Sequence, residues 1–156
     1  METNSIRPLG RHPSLQPLSR EHHFSLLLCW KIRKGLEQAI EVKRLQDYIL
    51  HLWENQIAEH FDIEENLILP ILGEEHVGVI RARKEHRLLR RLFLTPVYTY
   101  KTINRIEETL EKHIRFEERE LFPLVQETAS LEDWQKLESV HNDDVVEIIW
   151  KDEFWN

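Results

Sequence analysis

The sequence predicts an all-α protein, folded as an up-down-up-down four-helix bundle with a short extra C-terminal helix. Three observations favour this fold class. The 156 residues include only four Gly, and long stretches of the chain lack Pro. Apolar residues recur at spacings of three and four along four separate stretches. Amphipathic helices joined by short connections pack most economically as an up-down bundle.

The chain is predicted to have three parts. Residues 1–17 are rich in Pro and Gly and form an irregular lead-in, residues 18–128 form the bundle, and residues 129–156 form a C-terminal helix and tail. The length is typical of one domain with a substantial core.

The helix ends are predicted from residues that stop or cap helices. Gly35 is expected to end the first helix, and Pro70 and Pro123 to end the second and fourth. Ser130 and Asp133 have the spacing of a capping box and predict the start of a short final helix. The four bundle helices are expected at residues 19–34, 40–69, 74–95 and 99–122.

Composition narrows the class of protein. A formal net charge of −7 argues against nucleic acid as the main partner, because binding phosphates requires a basic surface. No apolar run approaches the roughly 18 residues that cross a membrane, and no signal peptide is evident, so we expect a cytoplasmic protein without membrane contact. Cys29 is the single cysteine, which excludes an internal disulfide, and it is expected in the core.

One motif occurs twice in the chain. HFDIEENLILPIL begins at His60, and HIRFEERELFPLV begins at His113. Residues four apart lie on the same face of a helix, so His60 pairs with Glu64 and His113 with Glu117. An imidazole and a carboxylate presented together suit iron, zinc or manganese. The duplication therefore predicts a metal site between two helices.

The ligand positions lie on otherwise apolar stripes. His86, for example, aligns with Val79 and Leu89 on the third helix. Burying an unpaired carboxylate is costly, and metal coordination would satisfy all of these groups together. A single His-x-x-x-Glu is usually a surface pair, and the duplication is what favours metal. The neighbouring acids Glu65 and Glu118 lie about 100° further round their helices and are predicted to face solvent.

These motifs, together with the Lys-Glu-His segment ending at His86, resemble the hemerythrin-like, or HHE cation-binding, domains over residues 15–128. The resemblance implies two iron ions bridged by the carboxylates of Glu64 and Glu117, with zinc or manganese as alternatives. One histidine should come from the first helix. The implied metal ligands are His22 or His23, His60, Glu64, His86, His113 and Glu117.

Periodicity favours His22 over His23 as the ligand of the first helix. His22 shares a stripe with Leu18 and Cys29, whereas the stripe of His23 meets Lys34. The other histidine is expected to flank the site, either beside a ligand or as an additional ligand.

The third helix departs from the family pattern. Oxygen-carrying hemerythrins present two histidines one turn apart there, but Ala82 and Arg90 lie four residues either side of His86. Four histidines and two glutamates leave open coordination positions for oxygen, peroxide, nitric oxide or exchangeable metal.

Three classes of function follow. The favoured one is a non-heme di-iron protein that binds, senses or stores oxygen, nitric oxide or iron. The alternative is a di-iron enzyme that acts on peroxide or nitric oxide, or an iron donor for cluster repair. The third is a metal-free bundle that contacts a partner through Trp150, Phe154 and Trp155. A ferritin-like oxidase is disfavoured because Ile57 and Leu110 occupy its glutamate positions. A protein partner or a homodimer is left open.

Overall fold

The protein is helical wherever it has regular structure. The computed structural model describes residues 10–140 and 145–156, and every regular element in these two ranges is a helix. The all-α prediction is therefore confirmed for the described chain, while residues 1–9 of the predicted lead-in lie outside it. None of the described helices is long and apolar enough to cross a bilayer.

Five helices follow one another along the described part of the chain. Helix α1 spans Gln16–Glu37, α3 spans Val77–Phe93, and α5 spans Leu131–Val140. Helices α2 (residues 42–72) and α4 (residues 100–128) change between α and π geometry along their length. The segments of α2 are Val42–Leu52, π-helical Trp53–Ile57, Ala58–Ile63, π-helical Glu64–Ile68 and Leu69–Leu72. Those of α4 are Tyr100–Phe116, π-helical Glu117–Leu121 and Phe122–Thr128.

Pro70 and Pro123 do not end their helices, contrary to the sequence prediction. Each follows a five-residue π segment and lies in the first turn of the next α segment. A π-helical amide would bond to the carbonyl five residues earlier, but Pro has no amide hydrogen. The carbonyls freed in this way belong to Glu65 and Glu118. Each accepts a hydrogen bond from an arginine, Arg83 Nη2 at 3.3 Å and Arg11 Nη2 respectively.

Gly35 does not end α1 either. A Cβ atom at this position would lie 2.5 Å from Leu45 Cδ2 and 3.1 Å from a ring carbon of Phe154. Gly35 therefore allows close contact with α2 and with the C-terminal segment, and the helix continues to Glu37.

The C-terminal segment at residues 145–156 packs against α1 and α2. Phe154 is buried in the core, and the Lys31 ammonium lies 3.9 Å from the ring centroid of Trp155. The ring of Trp150 packs on Tyr48. Phe154 is therefore enclosed by its own chain, whereas Trp150 and Trp155 are half-buried.

Side chains cap the starts of α3, α4 and α5. Thr99 and Thr102 form a reciprocal capping box at α4, and the predicted box of Ser130 and Asp133 forms at α5. Helix α3 begins later than predicted because the imidazole of His76, rather than an acid, accepts the bond from an early amide.

The predicted inward stripes form the core. On α3 they are wholly buried from Val79 to Phe93, and on α4 from Ile103 to Glu117. The main contacts of α4 are with α1 and α3. Apolar layers therefore surround the middle of the helices, where the histidines and glutamates lie.

Candidate metal centre

Six buried side chains converge in the middle of the protein. They form two groups of four, and the candidate ligand atoms within each group lie within 4.8 Å of one another. Every member is at most 5% exposed. The groups are His22, His60, Glu64 and Glu117, and Glu64, His86, His113 and Glu117. Both glutamates belong to both groups.

The two glutamates each direct one oxygen to either group. Glu64 Oε2 lies 3.0 Å from His60 Nε2, and Glu64 Oε1 lies 3.0 Å from His86 Nε2. Glu117 Oε1 lies 3.0 Å from His22 Nε2, and Glu117 Oε2 lies 3.1 Å from His113 Nε2. This is the arrangement that two bridging carboxylates require.

The imidazoles approach one another through the same nitrogen. His22 Nε2 lies 3.0 Å from His60 Nε2, and His86 Nε2 lies 3.1 Å from His113 Nε2. One imidazole could donate to the other, but each of these nitrogens also faces a carboxylate. Two imidazole nitrogens and two carboxylate oxygens around one point form a donor set that suits iron, zinc or manganese.

A carboxylate holds the outer nitrogen of every one of these histidines. The Nδ1–H of each imidazole donates to a glutamate outside the two groups, at 2.6–2.7 Å. The pairs are His22 with Glu118, His60 with Glu21, His86 with Glu65, and His113 with Glu85. An ionised carboxylate only accepts, so these bonds place a proton on Nδ1 and leave Nε2 facing inwards, as the atom that binds a cation once it is deprotonated.

Arginines hold three of the outer carboxylates from their far side. Arg11 contacts Glu118, Arg81 contacts Glu85, and Arg90 contacts Glu65. Side chains that are themselves fixed orient the ligands and limit their motion. The ligand geometry is therefore supported before any ion binds.

The centre has an approximate internal twofold symmetry. The Glu21–His22 pair of α1 matches the Glu85–His86 pair of α3, and the HxxxEE motif of α2 matches that of α4. Each contact has a counterpart of similar length: His60 to Glu21 and His113 to Glu85 are both 2.7 Å. Both motifs also begin a π-helical segment at the glutamate. The duplication seen in the sequence thus extends to the surroundings of the ligands.

Charges within the centre shift the pKa values of its histidines and glutamates. Burial alone would lower the pKa of His60, but the charge of Glu64 and the bond to Glu21 raise that pKa to about 9. Burial and the nearby Glu117 would raise the pKa of Glu64, but His60 and His22 hold it at about 2. Without metal, the centre therefore binds protons on imidazole beside ionised carboxylates, and an incoming cation would displace those protons.

Three buried oxygens test whether a metal fits. Glu64 Oε1 and both carboxylate oxygens of Glu117 have no hydrogen-bond partner among the described residues. Each of these oxygens lies 3.0–3.1 Å from an imidazole Nε2 atom, of His22, His86 or His113, without forming a hydrogen bond to it. Buried carboxylate oxygens without partners are costly, and they lie beside the imidazole nitrogens. The donor atoms present therefore fit bound cations.

The structure brings together six of the seven predicted ligands. His22 is buried in the centre, in agreement with the periodicity that favoured it. His23 is not at the site, contrary to the expectation that it would flank it: it is exposed, and its ring contacts Phe24. One residue along an α-helix rotates the side chain by about 100°, which directs His23 away from the interior.

Sequence reasoning missed the outer carboxylates. Glu65 and Glu118 were predicted to face solvent, but both are half-buried and bonded to histidines. A signal for them was present, because the acids adjoining the ligands repeat with the motif. Glu-Glu occurs at residues 64–65 and 117–118, and Glu-His at residues 21–22 and 85–86 as well as at 59–60 and 75–76.

Comparison of the chain with protein-family models, curated proteins and solved structures finds no match. Its function is therefore inferred from the centre itself.

Proposed function

We propose that the chain is a hemerythrin-like, up-down four-helix bundle that binds two iron ions. One observation carries this proposal: two buried groups of donors share Glu64 and Glu117, and each of these carboxylates offers one oxygen to either group. Glu64 and Glu117 would bridge the ions. His22 and His60 would complete one position, and His86 and His113 the other.

Four protein donors at each position leave coordination positions for a small ligand, since iron takes up to six. A bound pair of iron ions would supply those positions and a two-electron change between them. The chain's own residues fix the Nε2 atoms, keep bulk water out of the apolar layers, and balance the positive charge of the ions with carboxylates. We therefore favour a protein that binds, senses or stores oxygen, nitric oxide or iron.

The second candidate is an enzyme that acts on peroxide or nitric oxide, or an iron donor. The open coordination positions favour it, because chemistry on a substrate needs them. Turnover of peroxide or nitric oxide by iron-loaded protein separates catalysis from storage or sensing. Zinc and manganese also suit the donors and enter the test below as competitors.

Adjacent histidines offer a matched test. Protein purified after expression with added iron, and separately with zinc or manganese, is analysed for metal content. The wild type should hold two ions per chain, His23→Ala should hold the same number, and His22→Ala should lose at least one. A wild type without metal, or equal metal in the two variants, would contradict the proposal.

A further inference from the structure

The six ligands are arranged symmetrically, but the adjoining layer of side chains is not. Ser25 lies three residues after His22 on α1 and is buried. The matching residue on α3, three after His86, is Leu89, which is also buried. A hydroxyl therefore lies in the core next to one position of the centre, where the other position has only an aliphatic side chain.

A second polar group lies in the same layer. Gln56 precedes His60 by one turn of α2 and is 8% exposed. Its Oε1 atom has no hydrogen-bond partner among the described residues. The matching residue of α4 is Thr109, which is only half-buried. A buried amide oxygen without a protein partner is costly, which indicates that a water or another small molecule bonds to it.

The backbone is also asymmetric at this level. Gln56 lies in the π-helical segment Trp53–Ile57, whereas the corresponding part of α4 is regular α-helix within Tyr100–Phe116. Single π turns inside α-helices occur frequently at functional sites. Among the described residues there are three π segments, and this one has no counterpart in the other half of the structure.

The contacts between α1 and α2 place Gln56 and Ser25 at the same height. The two helices run in opposite directions, and Ser25 and Gln56 each lie four residues from the contact between Glu21 and His60, on the same side of it. Two contacts fix this register: Glu21 with His60, and Lys31 with Tyr48. The layer on the opposite side of the centre is buried and apolar, formed by Leu18, Ile68, Ala82 and Leu121.

From this asymmetry we infer that Gln56 and Ser25 position a small ligand carrying an O–H group, hydrogen peroxide, at the ion between His22 and His60. The inference rests on the proposed metal centre, and its ligand is the one named for the second candidate function. An amide oxygen accepts a hydrogen bond, so its partner must donate one, while the Ser25 hydroxyl both donates and accepts. Dioxygen and nitric oxide have no hydrogen to donate. Hydrogen peroxide both donates and accepts, and water has the same ability in the absence of peroxide.

The test compares Gln56→Leu with the symmetry-related Thr109→Val. Both variants are loaded with zinc, which undergoes no redox change, and their metal content is measured. Hydrogen peroxide is then titrated into each protein by isothermal calorimetry. Loss of one buried hydrogen bond should weaken peroxide binding about tenfold in Gln56→Leu, and Thr109→Val should match the wild type. Ser25→Ala should weaken binding in the same direction.

Crystals of the zinc-loaded wild type, soaked in peroxide, supply a readout independent of affinity. We expect density for a two-atom molecule within hydrogen-bond distance of Gln56 Oε1, on the side of His60, where unsoaked crystals should show a single water. Equal peroxide affinity in Gln56→Leu, Thr109→Val and wild type, with full zinc content, would overturn the inference and leave the proposed function standing. A wild type that binds no metal would overturn both.

Discussion

The outer carboxylates allow a quantitative prediction, of which Glu85 is the clearest case. Its carboxylate accepts the Nδ1–H of His113 at 2.7 Å, is also bonded to Arg81, and has a side chain that is 21% exposed. A hydrogen bond to a charged group contributes about 1.5–3 kcal/mol, and partial exposure favours the lower end of that range. Because about 1.4 kcal/mol corresponds to a factor of ten, Glu85→Gln should weaken metal binding roughly tenfold.

Competition with a chromophoric chelator measures this change. Glu59→Gln is a matched control, because Glu59 also precedes a ligand histidine but is exposed. The control should keep the wild-type affinity, and circular dichroism should show that both variants remain helical. Equal affinities in Glu85→Gln and Glu59→Gln would refute the reasoning that the outer carboxylates support the ligands.

Three further predictions concern the bridges, the pH dependence and the close helix contact. Glu117→Gln should reduce bound metal from two ions to fewer than one per chain, because Glu117 belongs to both groups. His113→Ala should retain about one ion, because His113 belongs to one group. Elemental analysis measures both contents, and similar losses in the two variants would contradict shared ligation. The folded pKa of His60 lies above its usual 6.5, so its contribution to stability is complete below pH 6.5 and is lost as the pH rises through about 9. Metal-free protein should therefore unfold at a lower temperature at pH 9 than at pH 6.5. Metal-loaded protein should show the opposite trend, because metal displaces these protons. The same trend in both forms would indicate that metal does not displace them. Gly35→Ala should lower the free energy of unfolding by about 1–3 kcal/mol, because the added Cβ would overlap Leu45. Chemical denaturation measures this change, and no loss of stability would contradict a close contact at Gly35.

Sequence periodicity was sufficient to place the candidate ligands in the core because they lie on the apolar stripes. His86 shares its stripe with Val79 and Leu89, so its side chain lies on the side of the helix that faces the core. The same periodicity distinguished His22 from His23. The order of the helices also followed from the pattern, since polar connections separate the apolar stripes.

Other features depended on contacts between helices, which spacing within one helix does not reveal. Glu65 lies about 100° round α2 from the ligand stripe, but in the folded protein its carboxylate accepts a hydrogen bond from His86 on a different helix. Pro70 was expected to end α2 because an α-helix loses a hydrogen bond there. The π segment before Pro70 means that the carbonyl left without a backbone partner is that of Glu65, and Arg83 donates a hydrogen bond to it. Gly35 was interpreted as a stop signal because its packing partner Phe154 lies far along the chain.

Anomalous diffraction from crystals of iron-loaded protein, collected at the iron absorption edge, tests the central claim most directly. We predict two peaks inside the protein, one between His22 and His60 and the other between His86 and His113, with Glu64 and Glu117 in contact with both. A single surface peak, or none in protein that elemental analysis shows to contain iron, would contradict a buried pair of ions.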